Sequence, residues 1–362
     1  MKIPFLDLSI TNHSLRQNYL TAIDNVFKHG RFILGPEVEQ FESLIAKRCG
    51  VRYCVGVSSG TDALFLALKT LGIGAGDEVI TTALSWIATA NAIALTGASP
   101  VFADINNDLN INPESVQNLI TSKTKAILPV HYTGKICEMD SLLKIAQTHN
   151  LFLIEDACQA FDAEYKGNKA GSFGDISCFS MNPMKVLGSC GEAGAIVTNN
   201  QSYKEKLIAL RYNGTINKEE CVEISFNARL DTIQAAFLIN RFYEFDNIVN
   251  KRRKIALCYN ENLKNIVQTP QENDFHKDVY YTYTIRARNR DNLKNYLESN
   301  GIETKVQHPI LMPEQKVFIN RTIGSFENAK KIVREILCLP VSEKLSRDEV
   351  NYISQMIINF YQ

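Results

Sequence analysis

The sequence lacks a bilayer-spanning run: none of its apolar stretches approaches the ~20 residues a membrane helix requires. It also lacks a charge bias, because Lys+Arg and Asp+Glu both number 39. Nucleic acid and anionic membranes both reward a basic excess, so neither is expected as a partner. The nine cysteines are scattered singly with no C-x-x-C pair, and an odd count does not fit a full disulfide framework. The six histidines show no metal-ligand spacing, so no metal centre is expected. MKIPFLDL at the N-terminus has none of the features of a secretory signal. With the thiol pattern, that points to a reducing, cytoplasmic setting. No internal repeat or low-complexity tract is present.

A correctly ordered dinucleotide loop is missing as well. The glycines of Gly72 to Gly76 (GIGAG) follow a helical pattern and precede the strand-like EVITT. A nicotinamide-binding fingerprint follows a strand and opens a helix, so this stretch reads as a helix-capping turn.

What is present is an α/β rhythm in 362 residues, of which 45% are hydrophobic, enough for a large domain and a smaller one. Residues 14–29 read as a helix, and Gly35-Pro36 leads into another near Glu37. YCVGV at 53–57 is followed by Ser58-Ser59-Gly60-Thr61 and the helical ALFLALKTLG. EVITT, PVFADI, KAILPVHY and LFLIED then read as strands, with helices near 113–121 and over Met139 to His149. Such alternation implies a mostly parallel sheet covered on both faces, with ligands bound beyond the carboxyl ends of its strands.

Three groups fall at such ends. Thr61 follows the first strand at a Gly-containing turn into a helix, a setting that suits a phosphate, although an N-cap alone accounts for it. Asp156 ends LFLIE within Glu155-Asp156-Ala157-Cys158-Gln159, where a half-buried carboxylate needs a cationic partner. Ser180 follows ISCF and opens FSMNPMKVLGSCGEAG. In that segment Lys185 is flanked by Met181, Pro183, Met184, Val186 and Leu187, an apolar setting of the kind Schiff-base lysines use. The lone Trp86 has core or interface packing as its ordinary explanation.

From Phe226 the pattern turns helical, with Leu230, Ile233 and Phe237 on one face, and runs to about Leu263. Beyond come a strand over Tyr281 to Arg288, a helix over 291–299 stopped by Gly301, and helices around 326–337 and 347–358. The expected division is a large domain over 1–245 and a small α+β domain over 246–362.

Assembled, SGTDAL, GDEVITT, TKAILPVHYTG, IEDACQA, the S-x-x-P-x-K segment ending at Lys185 and N-x-RLD-x-IQAA resemble the DegT/DnrJ/EryC1/StrS family. Its members are pyridoxal 5′-phosphate (PLP)-dependent sugar aminotransferases of the aspartate aminotransferase-like fold, fold type I. The resemblance runs from GRFILGPEVEQFE to LCLPVS. It implies that Lys185 binds PLP covalently and that Asp156 faces its pyridine nitrogen. It further implies that Gln159 meets the phenolic oxygen and Trp86 the ring face. Gly60, Thr61 and Ser180 would hold the phosphate, joined by Asn227 from a second subunit of a homodimer with shared active sites. His308 falls near the substrate.

The implied reaction moves an amino group from an amino acid, glutamate being the expected donor, to a keto group at C3 or C4 of a nucleotide-linked deoxysugar. Its product would serve surface-glycan or natural-product biosynthesis. The chain departs from the family pattern at Val186, at Glu192-Ala193-Gly194, at Ala228 and at Pro309-Ile310-Leu311, which bears on sugar identity more than on reaction type. Two alternatives share the fold: a PLP-binding sugar dehydratase, in which histidine replaces the lysine, and a regulator without turnover. Lys185 argues against the first.

Overall fold

The computed structural model describes residues 2–319 and 325–362. Its centre is a seven-stranded sheet in the order Tyr53–Val57, Gly194–Thr198, Ile176–Ser180, Phe152–Asp156, Thr124–Leu128, Glu78–Thr82, Ser99–Ala103. All neighbours are parallel except Gly194–Thr198, which runs antiparallel to both of its partners. These strands are nearly continuous apolar runs, as burial on both faces requires. The helices Gly60–Thr70, Ala88–Leu95 and Met139–His149 are among those that cover them. The fold is α/β and mostly parallel, with a smaller α+β assembly toward the C-terminus.

Six of the seven strands point the same way, so the turns leaving them collect along one edge. Each is shaped locally. Ser59 caps the helix Gly60–Thr70 by accepting from Asp62 N at 3.1 Å. Gly72 at φ +74 closes the same helix, as the GIGAG turn implied.

Two stretches differ from expectation. Residues 226–231 are extended rather than helical, because they lie along the edge strand Tyr53–Val57. Ser58 N donates to Ala228 O at 3.0 Å, and bridges join Val57 to Arg229 and Ile33 to Asp231. The backbone partners offered by that open edge outweigh the local helical spacing of Leu230 with Ile233 and Phe237. Helices Thr232–Tyr243 and Phe245–Leu263 follow, interrupted at Glu244. The helix expected over 326–337 is Glu327–Val333 and then a fully buried strand, Ile336–Leu339, antiparallel to Tyr283–Arg286. An apolar run of four that pairs across a sheet has no distinct signature from a buried helical turn.

The C-terminal core gathers Tyr259, Tyr283, Ile285, Leu297, Leu337 and Ile353, and it includes Ile3 from the other end of the chain. Ile3 is fully buried; its N–H donates to Gly301 O at 2.8 Å, and its carbonyl accepts from Glu303 N at 3.0 Å. Helix Phe245–Leu263 bridges the two cores, with Phe245, Ile248 and Val249 in the sheet's core and Ile255, Tyr259 and Leu263 in the other.

Candidate active site

A cavity of about 690 Å³ opens beyond the carboxyl ends of the parallel strands. Gly60, Thr61, Trp86, Asp156, Gln159, Ser180, Lys185 and His308 all line it. Of the residues singled out from sequence, only Asn227 stands apart. It is exposed, and its Oδ1 accepts from Arg229 Nε at 2.7 Å.

Strand alternation explains how Glu155 and Asp156 diverge. Neighbouring side chains on a strand point to opposite sides. Glu155 turns inward and is fully buried, accepting from Gly171 N, Phe173 N, Gly174 N, Ser177 Oγ and the His131 ring at 2.7–3.0 Å. Burial opposes its ionisation, yet His131, the Ser177 hydroxyl and the Gly171 amide outweigh burial and hold it below the ordinary carboxylate value. It ties the 171–174 loop to the sheet. Asp156 faces the cavity. It is 3% exposed, and its carboxylate accepts from Thr89 Oγ1 at 2.7 Å and Cys158 N at 3.2 Å. No cation pairs with it among the described residues, so a positively charged partner inside the cavity would complete it.

The helix start and Ser180 are pressed together. A Cβ on Gly60 would sit 2.6 Å from Ser180 Cβ and 3.1 Å from Cys158 Sγ. The first turn of this eleven-residue helix thus borders Ser180, with the amides of Gly60 and Thr61 at the positive end of the helix dipole. Such a helix start favours negative charge.

Gln159 is oriented by its surroundings. Its Oε1 accepts from Thr133 N at 3.0 Å, which leaves the amide NH₂ as the donor facing the cavity. Lys185 Nζ lies 4.4 Å from the centroid of the Tyr281 ring. Asn182 braces the loop that carries it, with Nδ2 donating to Glu192 Oε1 at 2.7 Å and Oδ1 accepting from Met184 N at 3.0 Å. Trp86 is 61% exposed, so within this chain it is a cavity wall rather than core packing.

The segment Lys305–Ile310 crosses the opposite wall. His308 adopts φ +53, and its Nδ1 lies 3.0 Å from Tyr132 Oη, with its ring 5.8 Å from that of Trp86. Burial, reinforced by the charges of Lys185 and Lys305, lowers its pKa to about 3, so the imidazole is neutral at ordinary pH. Sequence reasoning missed Thr89, Tyr132 and Tyr281. Thr89 sits three residues past Trp86 at the start of a helix, a spacing that was readable. Tyr132 and Tyr281 reach the site only through tertiary contacts and leave no sequence signal.

The comparisons agree with this geometry. A pleiotropic regulatory protein of Geobacillus stearothermophilus is 38% identical over 100% of this chain and 99% of its own. A dTDP-3-amino-3,6-dideoxy-alpha-D-galactopyranose transaminase of Aneurinibacillus thermoaerophilus is 38% identical over 98% of each. The solved structure of NtdA from Bacillus subtilis with bound cofactor PMP superposes with a TM-score of 0.93 at 32% identity, covering 99% of this chain and 85% of that one. The model of the DegT/DnrJ/EryC1/StrS aminotransferase family matches residues 13–358. A cavity at the parallel strand ends, walled by a lysine, a buried carboxylate and a helix N-terminus, in a chain matched over nearly its whole length, places this protein in the DegT/DnrJ/EryC1/StrS aminotransferase family.

Proposed function

We propose that the protein is a PLP-dependent aminotransferase that moves an amino group from an amino acid, glutamate in our reading, to a keto group of a nucleotide-linked sugar. The 3-amino product named for the Aneurinibacillus relative favours C3 over C4. The observation that carries the reading is the convergence of Lys185, Asp156, Gln159 and the Gly60–Ser180 contact on one cavity.

The residues present fit the cofactor. The buried Asp156, with no cation paired to it among the described residues, is a partner for a protonated ring nitrogen, and Gln159 offers its NH₂ to a phenolic oxygen. Trp86 supplies a flat wall for the ring, while Gly60, Thr61 and Ser180 supply the phosphate cradle. When bound, PLP supplies a covalent carbonyl attachment and an electron sink.

The chain's own groups then have distinct tasks. Lys185 anchors the cofactor and, once free, is the amine placed to take and return the substrate's Cα proton, a role worth ~10²–10⁴-fold. Tyr281 offers its ring face to the ammonium in the interim. His308, neutral and close to Tyr132, presents an uncharged wall to the sugar. Asn227, exposed and outside its own chain's cavity, is available to a second subunit, and on that ground we assign a homodimer with shared sites. The division at 245/246 lies in the helix that bridges both cores. No helix among the described residues is long and apolar enough to cross a membrane. All nine cysteines are free, which supports a reducing, cytoplasmic setting.

The regulatory name of the Geobacillus relative favours a second reading, a PLP-binding regulator without turnover. One experiment separates the two. Purified protein with PLP should be yellow, borohydride should fix the cofactor on Lys185, and glutamate should discharge the colour. A colourless protein sinks both readings, whereas colour that glutamate leaves untouched sinks the aminotransferase. Nucleotide-linked keto sugars added to the discharged form should restore the colour and identify the substrate.

A further inference from the structure

A second cavity of about 380 Å³ lies on the other side of the turn Tyr132–Gly134 and shares no lining residue with the first. Polar and charged residues predominate among those lining it, and Asp278 is the one that stands out. It is 4% exposed, its side chain makes no hydrogen bond among the described residues, and Oδ1 is buried with no partner. Buried carboxylates are ordinarily paired or hydrogen-bonded.

Neither Arg253 nor Lys135 forms an ion pair or hydrogen bond with the Asp278 carboxylate. Arg253 holds the Glu272 carboxylate through both of its terminal nitrogens and spends a further bond on the backbone carbonyl of Asp278. Lys135 Nζ donates to Gln271 O at 2.7 Å. Burial pushes the Asp278 carboxyl up to about 7, with Lys135 and Arg253 opposing and Glu272 and Asp108 adding to the rise; Tyr280 and Arg286 also line the cavity, and Arg286 is held by Glu335 and Asn107. Thr133, Thr282, Thr284 and Gln268 add hydroxyls and an amide to a wall that also carries Lys135, Arg286, Asp108 and Glu272. A water molecule would hydrate such a carboxylate without matching its charge. An ammonium group does both, and the surrounding hydroxyls and amides suit further polar groups on the same molecule.

We propose that this cavity binds a compact, polar, ammonium-bearing molecule, an amino acid or an amino sugar, through Asp278. The site adjoins the catalytic cavity through one residue: Thr133 lines it, and its N–H donates to Gln159 Oε1. The inference rests on Asp278 and its surroundings, independently of the reaction assigned to the first cavity.

Isothermal titration calorimetry of the cofactor-loaded protein at pH 8 tests it, with D-glucamine, L-serine and D-sorbitol as probes. At least one of the two ammonium compounds should bind saturably, and which one binds distinguishes the amino-sugar source from the amino-acid source. D-sorbitol should bind at least tenfold more weakly. Asp278→Asn should weaken binding at least tenfold and lowering the pH to 6 about tenfold, whereas Lys185→Ala should leave it unchanged. Equal binding by D-sorbitol, equal binding by Asp278→Asn, or no saturable binding of either ammonium compound overturns the proposal. Loss in Lys185→Ala with retention in Asp278→Asn assigns the binding to the catalytic cavity and also overturns it.

Discussion

Thr89 Oγ1 donates a 2.7 Å hydrogen bond to Asp156 Oδ2, joining the first turn of one helix to the end of a strand 67 residues away. This bond and the Cys158 amide fix a carboxylate that has no ion pair among the described residues. Its direction is therefore set before any ligand arrives.

Replacing Thr89 with valine keeps the shape and removes that donor. Losing one hydrogen bond to a buried carboxylate costs about 1–3 kcal/mol. The expected outcome is a protein that still turns yellow with PLP but discharges with glutamate roughly ten- to a hundredfold more slowly. Stopped-flow absorbance measures this, and an unchanged rate would show that Asp156 needs no such support.

Gly60→Ala places a methyl group 2.6 Å from Ser180 Cβ, and neither side is a flexible chain end. Relief requires moving the helix start away from Ser180, a strain of about 1–3 kcal/mol. PLP affinity should fall by at least tenfold, while the thermal transition without cofactor moves by only a few degrees. Affinity equal to wild type would mean that the helix start and Ser180 do not act together on the phosphate.

Asn227 gives a test of subunit sharing. Lys185→Ala and Asn227→Ala proteins should each be impaired alone. Unfolded and refolded together at equal ratio, they should recover about a quarter of wild-type activity, because half of the dimers are mixed and each carries one intact site. No recovery, with mixed dimers demonstrated by differently tagged chains, would place Asn227 outside the partner's site.

Asp278 carries a pH signature for stability. Its folded pKa of about 7 lies above the ordinary 3.8, so the folded state binds more protons between those values. Stability is therefore lost as pH rises through that window, and the deficit is complete above pH 7. Asp278→Asn should be more stable than wild type by about 4 kcal/mol at pH 8 and about equal to it near pH 4. Urea unfolding at the two pH values checks the sign, and a variant less stable at pH 8 would mean that the carboxylate is paired after all.

Much of this was legible before the fold was known. Period and punctuation placed most of the strands and helices through Thr198, because the buried parallel strands are short apolar runs, whereas the helix Ala88–Leu95 was not read. The strand-end rule put Thr61, Asp156 and Ser180 together, and the apolar flanks drew attention to Lys185. Hidden were features that arise from pairing at a distance. The extended 226–231 segment follows from the open edge of Tyr53–Val57, and Ile336–Leu339 follows from its partner Tyr283–Arg286. Tyr281 enters the cavity, and Tyr132 meets His308 behind its wall, only because the C-terminal third folds back over it.

The bond pattern around Ile3 has a consequence for synthesis. Its partners, Gly301 and Glu303, leave the ribosome some three hundred residues later, which is roughly 15–60 s at ordinary elongation rates. Throughout that interval the N-terminal apolar residue has no place to be buried. The C-terminal core therefore closes last, joining segments some three hundred residues apart.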